Sequence, residues 1–387
     1  MRFLHTGDWH IGKPLRGRGR MDEYARALEE VAAIAVQARV DAVLIAGDVF
    51  DSTAPPVEAE RLVYDFLARL LPERIACVVV AGNHDHPRKL AALALLLEGL
   101  RIYVRSEVRP AAEGGVVRVA SRDGGCEAHV AVLPFVPERK VVDACLVMGP
   151  EHQWYAEYAH RIAQILRFLT DGFTPKTVNL VLGHLLISGA RVGTGERPLH
   201  LGEIYGITPE QIPSGVQYVG LGHLHRPQQV LAPSPTAYAG SLIELDFGER
   251  EQEKKVVVVE AQPGAQPAHM EWVALSAGRR LRDVEGSLAE LRAMAAGAGS
   301  DFLRVRVRTE GPVPGLAEQV REALPNAVDI QLVYPRGDAP QPAPGPRLKQ
   351  LDPLELFEEF YRRKNGVAPA AELTALFRTA YEEASHR

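Results

Sequence analysis

Cysteine is scarce in this 387-residue sequence: Cys77, Cys126 and Cys145 are an odd number without metal-type spacing. That excludes a disulfide scaffold and fits a reducing cytoplasm. Long apolar runs are also lacking. Runs such as 90–97 fall far short of the about 20 residues a membrane-spanning helix takes. The opening MRFLHTGDWH carries polar and charged groups where a secretory signal would be apolar, so a cytoplasmic protein is expected. A complete P-loop pattern, GxxxxGK followed by Ser or Thr, is missing, so any ATP dependence must come from another chain. Charge of one sign is not in excess: 44 Lys and Arg against 49 Asp and Glu leave a net charge of −5. This excludes a protein that coats nucleic acid by bulk charge, but not an enzyme that grips phosphates locally or through metal ions.

What is present is an alternation of strand and helix patterns. Strands are expected at 2–6, 41–46 and 75–81, with helices at 21–38 and 57–71 between them. This implies right-handed βαβ units in a parallel sheet. Strands at 130–133, 178–182, 217–221 and 255–260, with a long helix near 151–169, complete a first domain, 1–262. Residues 263–334 read as a small α+β domain, with strands at 269–275, 302–307 and 327–333 and helices at 286–296 and 315–324. A Pro-rich linker follows at 335–350. The remainder, 351–387, reads as a helical hairpin. Asp352-Pro353 makes a helix start, Leu354, Phe357, Phe360 and Tyr361 a first apolar stripe, and Asn365-Gly366 a stop. Leu373, Leu376, Phe377, Ala380 and Tyr381 form a second stripe.

Five of the 13 histidines fall in short motifs where strands are expected to end: Asp8-Trp9-His10, Gly47-Asp48-Val49-Phe50-Asp51, Gly82-Asn83-His84-Asp85, Gly183-His184 and Gly222-His223-Leu224-His225. Taken singly, each also fits a turn carboxylate or a core histidine. Together they put Asp, Asn and His along one edge of an α/β sheet, where such folds bind ligands. The donors suffice for two divalent cations bridged by one carboxylate, and the lack of cysteine among them favours harder metals. Two cations about 4 Å apart suit displacement at a phosphoryl group.

The order DxH, GDxxD, GNHD, GH, GHxH resembles the calcineurin-like metallophosphoesterases. MRFLHTGDWHIGKPL, IAGDVFDSTAPP and YVGLGHLHRPQ resemble more specifically the bacterial SbcD-type nuclease branch of that family. The resemblance implies an α/β metallophosphoesterase sandwich with a small capping domain and a C-terminal hairpin. It implies that Asp8, His10, Asp48 and His225 hold one metal, and Asp48, Asn83, His184 and His223 a second, with manganese as the usual ion. His84 would act on the leaving oxygen, oriented by Asp51. It further implies a DNA exonuclease and endonuclease in repair and recombination, nucleoid-associated and homodimeric through helices near the first two motifs. The hairpin would bind an SbcC-type coiled-coil ATPase.

Arg16, Arg18 and Arg20 lie on a Gly-rich loop after the first motif and are candidates for contact with DNA phosphates. The loop 188–200, with Arg191, Arg197 and His200, is a second candidate for the substrate path. Two other readings compete. A stand-alone phosphodiesterase for small nucleotides would need neither the added domain nor the hairpin. A non-catalytic scaffold would not keep every motif residue.

Overall fold

The computed structural model describes residues 1–137, 151–193, 206–297, 299–311 and 313–334, and scattered positions between 354 and 378. They fall into two units, Met1–Val333 and Tyr334–Arg387.

The first unit opens with parallel strands separated by helices: β1 (Arg2–Thr6), α1 (Met21–Gln37), β2 (Ala42–Ile45), α2 (Val57–Leu70), β3 (Ala76–Val80), α3 (Pro87–Leu97) and β4 (Ile102–Arg105). A second run gives β5 (Val116–Ala120), β6 (Glu127–Leu133), α4 (Glu151–Thr170), β7 (Val178–His184), β8 (Tyr218–Gly222), β9 (Gln228–Val230) and β10 (Thr236–Tyr238). The chain then returns to the first sheet through β11 (Lys255–Glu260) and β12 (His269–Ala274). The two six-stranded sheets are ordered β12-β11-β1-β2-β3-β4 and β5-β6-β7-β8-β10-β9.

The layering follows from which faces are apolar. β2, β3 and β8 are buried along their whole length, the mark of strands covered on both sides. Phe3, Leu44 and Val78 of one sheet share a core with Val130, Leu180 and Tyr218 of the other. The outer face of the first sheet packs on α1 and α2, whose buried Tyr24, Ala27, Leu28, Val31 and Ala35 recur at helical spacing. Tyr158, Ile162, Leu166 and Leu169 of α4 cover the outer face of the second.

The small domain differs from expectation in two ways. The strand expected to open it, β12, is the edge of the first sheet, paired with β11 from Lys255–Ala274 to Glu260–His269. Its own sheet starts at β13 (Leu281–Gly286) and runs through α5 (Leu288–Met294), β14 (Phe302–Arg308), α6 (Leu316–Ala323) and β15 (Ala327–Val333). All three strands are parallel. The domain is therefore a βαβαβ unit rather than α+β. β13 escapes a sequence reading because LRDVEG carries charges along a face that no helix covers.

The expected DNA-contacting arginines are also corrected. Arg20 is buried, paired with Glu23 and donating to the Glu244 carbonyl. Arg18 donates to the Pro325 carbonyl at 2.9 Å, and Arg16 lies 3.4 Å from Asp329 and 3.6 Å from Asp246. Arg18, Arg20 and Arg279 surround the Phe302 ring at 5.0–5.5 Å, in cation–π range. Phe302, Leu281, Phe247 and Leu15 form a buried joint between the small domain and the body. The Gly-rich loop is thus tied to the small domain.

The linker 335–350 and the Asp352-Pro353 helix start lie outside the described residues, as do Cys145, Arg197 and His200. Within the second unit, Phe357 and Phe377, one from each expected helix, stack with centroids 4.3 Å apart.

Phe302→Ala should cost about 3–5 kcal/mol, the range for a deleted core aromatic, with earlier proteolysis of 281–333. Chemical denaturation with limited proteolysis checks this; an unchanged denaturation midpoint would contradict the joint.

Candidate metal centre

The sandwich brings strand ends from both sheets to one edge. Asp8 and His10 follow β1, Asp48 follows β2, and Asn83 and His84 follow β3. From the facing sheet, His184 ends β7 while His223 and His225 follow β8. Asp8, His10, Asp48 and His223 all have positive φ, between 46° and 106°. Non-glycine residues in such conformations cost roughly 1–3 kcal/mol each and persist only where the surroundings enforce them. The enforcement is visible. Asp8 N donates to the Gly47 carbonyl at 3.0 Å, His10 N to the Asp48 carbonyl at 2.9 Å and Ile11 N to the Val49 carbonyl at 3.1 Å, zipping the first two loops together. The carboxylates cross further loops: Asp8 Oδ1 accepts from His223 N and Asp48 Oδ1 from His84 N, both at 2.8 Å.

Two motif glycines are demanded by this crowding. A Cβ on Gly82 would overlap the Asp48 carboxylate, and one on Gly47, at φ 86°, would lie 2.5 Å from His184 Nδ1. Asp85 accepts from the backbone N–H groups of Val49, Phe50 and Gly82, binding the second loop to the third.

The donor set can be read from the outer nitrogen of each imidazole. His184 Nδ1 donates to the Ala46 carbonyl at 2.7 Å, so Nε2 carries a lone pair, 3.0 Å from Asn83 Oδ1 and 3.6 Å from Asp48 Oδ2. His223 Nδ1 lies 3.1 Å from the same Asn83 oxygen. His225 Nδ1 meets Glu249 at 2.8 Å, and its Nε2 faces His10 Nε2 at 3.1 Å. His10 Nε2 is 3.4 Å from Asp48 Oδ2, while its Nδ1 is 3.3 Å from Asp51 Oδ1. Lone pairs thus face lone pairs, an arrangement a cation converts from repulsion into coordination. Ligand atoms of Asp8, Asp48 and His184 lie within 4.8 Å of one another, as do those of His10, Asp48 and His84, so Asp48 is common to both groups. The residues fit a pair of divalent cations.

Electrostatics favour the same outcome. Burial holds His10 down to about 4, against the pull of Asp51 and Asp48, and His223 down to about 3. Burial also lowers His184. Burial opposes the charge of Asp48, but His184, His10 and His84 beside it hold its carboxyl below the usual range. Neutral imidazoles and ionised carboxylates are the forms that bind metal.

One expected role changes its atom. The group that receives His84 Nδ1, at 2.7 Å, is the backbone carbonyl of Asp51, not its carboxylate. The carboxylate instead sits against His10 Nδ1 and 3.4 Å from Lys13 Nζ. Sequence reading missed Asp85 as a loop tie, although it stands inside the third motif. It also missed Glu249, 24 positions beyond His225 and outside every motif.

His5, buried between the sheets with its Nδ1 2.7 Å from the Tyr218 hydroxyl, is likewise held down to about 3 by burial. His5, His10 and His223 stay neutral in the fold but take protons below about 6.5 when unfolded. Stability without metal is therefore fully present above pH 6.5 and is lost as pH falls toward 4. Each group removes about 1.4 kcal/mol per pH unit in that window. Urea unfolding of metal-free protein at pH 7.5 and 5.5 measures this, and equal stabilities would contradict it.

Residues 1–227 match the calcineurin-like phosphoesterase family, and 277–365 the type 5 capsule protein repressor C-terminal domain. The D subunit of the Bacillus subtilis SbcCD nuclease is 31% identical over 97% of this chain and 97% of its own. Its counterpart in Rhodobacter capsulatus is 30% identical over 92% and 93%, and that of Escherichia coli K12 30% identical over 67% and 64%. Similarity over nearly the whole length makes the chain a metal-dependent hydrolase that belongs to the calcineurin-like phosphoesterases, in the group of SbcD nucleases.

Proposed function

We propose that the chain is a DNA nuclease, a double-strand exonuclease and single-strand or hairpin endonuclease, working in repair and recombination with an SbcC-type coiled-coil ATPase. The observation that carries the chemistry is Asp48, one buried carboxylate common to two groups of nitrogen and oxygen acceptors. In this reading Asp8, His10, Asp48 and His225 hold one cation, and Asp48, Asn83, His184 and His223 the other. Imidazole, carboxylate and amide donors without thiolate suit Mn2+. When bound, the cations supply an activated water and neutralise charge on the phosphoryl oxygens. His84 is left to move the proton: the Asp51 carbonyl takes Nδ1–H, so Nε2 is the ring atom that meets the leaving oxygen.

The SbcCD names of the relatives support a partner ATPase and a nucleic-acid substrate, as does the missing P-loop here. In the C-terminal unit Phe360 and Leu376 are exposed beside the stacked Phe357–Phe377 pair, an apolar surface suited to a helix-in-groove contact. A homodimer is supported by Leu95 and Leu96, 85% and 76% exposed on α3, and by Val57 on α2, the two helices being tied by Lys89 and Glu60. Nucleoid association follows from the proposed substrate.

The test is a Mn2+-dependent cleavage assay on linear duplex, hairpin DNA and a nitrophenyl phosphodiester, with and without the ATPase. Cleavage of both DNAs, raised by partner and ATP, is expected; cleavage of the small ester alone would favour the small-nucleotide reading. Asp48→Ala should release both cations. His84→Ala should keep both yet lose about 10²–10⁴-fold in rate; loss of a cation there would make His84 a ligand. A chain ending at Gly345 should keep Mn2+-dependent cleavage and lose the ATPase. Pull-down at wild-type strength would remove the hairpin as the docking element.

A further inference from the structure

The His225 ring is held from outside the acceptor cluster by two charged side chains that no motif contains. Glu249 ends the short turn Phe247–Glu249 and Lys254 directly precedes β11; both are buried. Glu249 Oε1 lies 2.8 Å from His225 Nδ1. Its Oε2 accepts from Lys254 Nζ at 2.7 Å, Leu245 N at 3.0 Å and Ser241 Oγ at 3.2 Å. Lys254 Nζ also donates to the His225 carbonyl and to Gln252 Oε1, each at 3.1 Å. One ammonium therefore fixes the backbone of His225 directly and its ring through Glu249.

A buried ion pair that only held a loop would be a poor choice. Each ion costs several kcal/mol to desolvate, and apolar side chains of similar volume often do as well. The directionality argues for a further role. A carboxylate beside Lys254 that takes three donors on one oxygen is ionised, and an ionised carboxylate only accepts. The proton of His225 must then sit on Nδ1. Its Nε2 is left as a lone pair, aimed at the point where His10 Nε2 also converges, 3.1 Å away. A partner on the far nitrogen sets the tautomer and angle of a ligating histidine and raises its basicity.

We propose that Glu249, backed by Lys254, is a positioning residue of the metal centre: it fixes the tautomer and orientation of His225 and so sets the affinity of one of the two cations. The inference rests on reading His225 as a ligand. Sequence could not reveal it, because Glu249 joins the centre only through the turn that leads the chain back to the first sheet.

The test is Co2+ titration of the metal-free full chain as wild type, Glu249→Gln, Glu249→Asp and His225→Ala. Binding is followed by calorimetry and visible absorption, with circular dichroism to verify folding. Glu249→Gln should bind two ions, one of them about 10–100-fold more weakly and with an altered visible spectrum. Glu249→Asp, which keeps the charge, should recover part of that affinity. Two ions at wild-type affinity with an unchanged spectrum in folded Glu249→Gln would overturn the proposal. Two ions at wild-type affinity in His225→Ala would instead overturn the ligand reading beneath it. Should Glu249→Gln fail to fold around the unbalanced Lys254, nitrogen NMR of the metal-free wild type decides. Protonation of His225 on Nδ1 at neutral pH is expected, and protonation on Nε2 overturns the proposal.

Discussion

Lone pairs crowd against lone pairs around Asp48, and the rest of the molecule is arranged to hold them there. His10 Nε2 and His225 Nε2 stand 3.1 Å apart, and His184 Nε2 stands 3.0 Å from the Asn83 oxygen. Without a cation such contacts repel, so nothing local favours them. The cost is met by backbone hydrogen bonds between loops, by Asp85 accepting three N–H groups, and by glycines where a Cβ would collide. The positive φ angles at four motif residues belong to the same arrangement.

Only a rigid frame can hold acceptors in this way. The frame is the pair of sheets whose shared core runs from Phe3 and Leu44 to Leu180 and Tyr218. The Asp8, Asp48 and Asn83 loops come from one sheet, and His184, His223 and His225 from the other. Slippage of one sheet over the other would separate the donors. Interiors packed as densely as organic crystals resist such motion. The buried His5–Tyr218 hydrogen bond adds a polar tie at the same level of the sandwich.

The small domain is linked to this frame through chemistry that looks, in sequence, as though it belonged elsewhere. Arg18 and Arg20 lie on the stretch that continues from Asp8 and His10, and with Arg279 they enclose Phe302 of β14. Glu244 takes the Leu281 N–H at the start of the small domain while its carbonyl accepts from Arg20. The metal loops and the small domain therefore share residues on either side of one joint.

Much of the centre was legible because its chemistry is local. Asp, Asn and His must follow strand ends directly, so DxH, GDxxD, GNHD, GH and GHxH stand out against an apolar background. Strands buried on both faces, such as β2 and β3, announce themselves by composition. Short or one-sided strands, β5, β9, β10 and β13, did not, because their outward faces carry polar residues or they span only three positions. Tertiary structure alone decided which sheet β12 joins, since an edge strand reads the same beside either neighbour. It also decided that a backbone carbonyl at Asp51 receives His84, that the loop arginines close on Phe302, and that Glu249 meets His225. These contacts depend on where chain segments return in space, and spacing along the sequence does not carry that information.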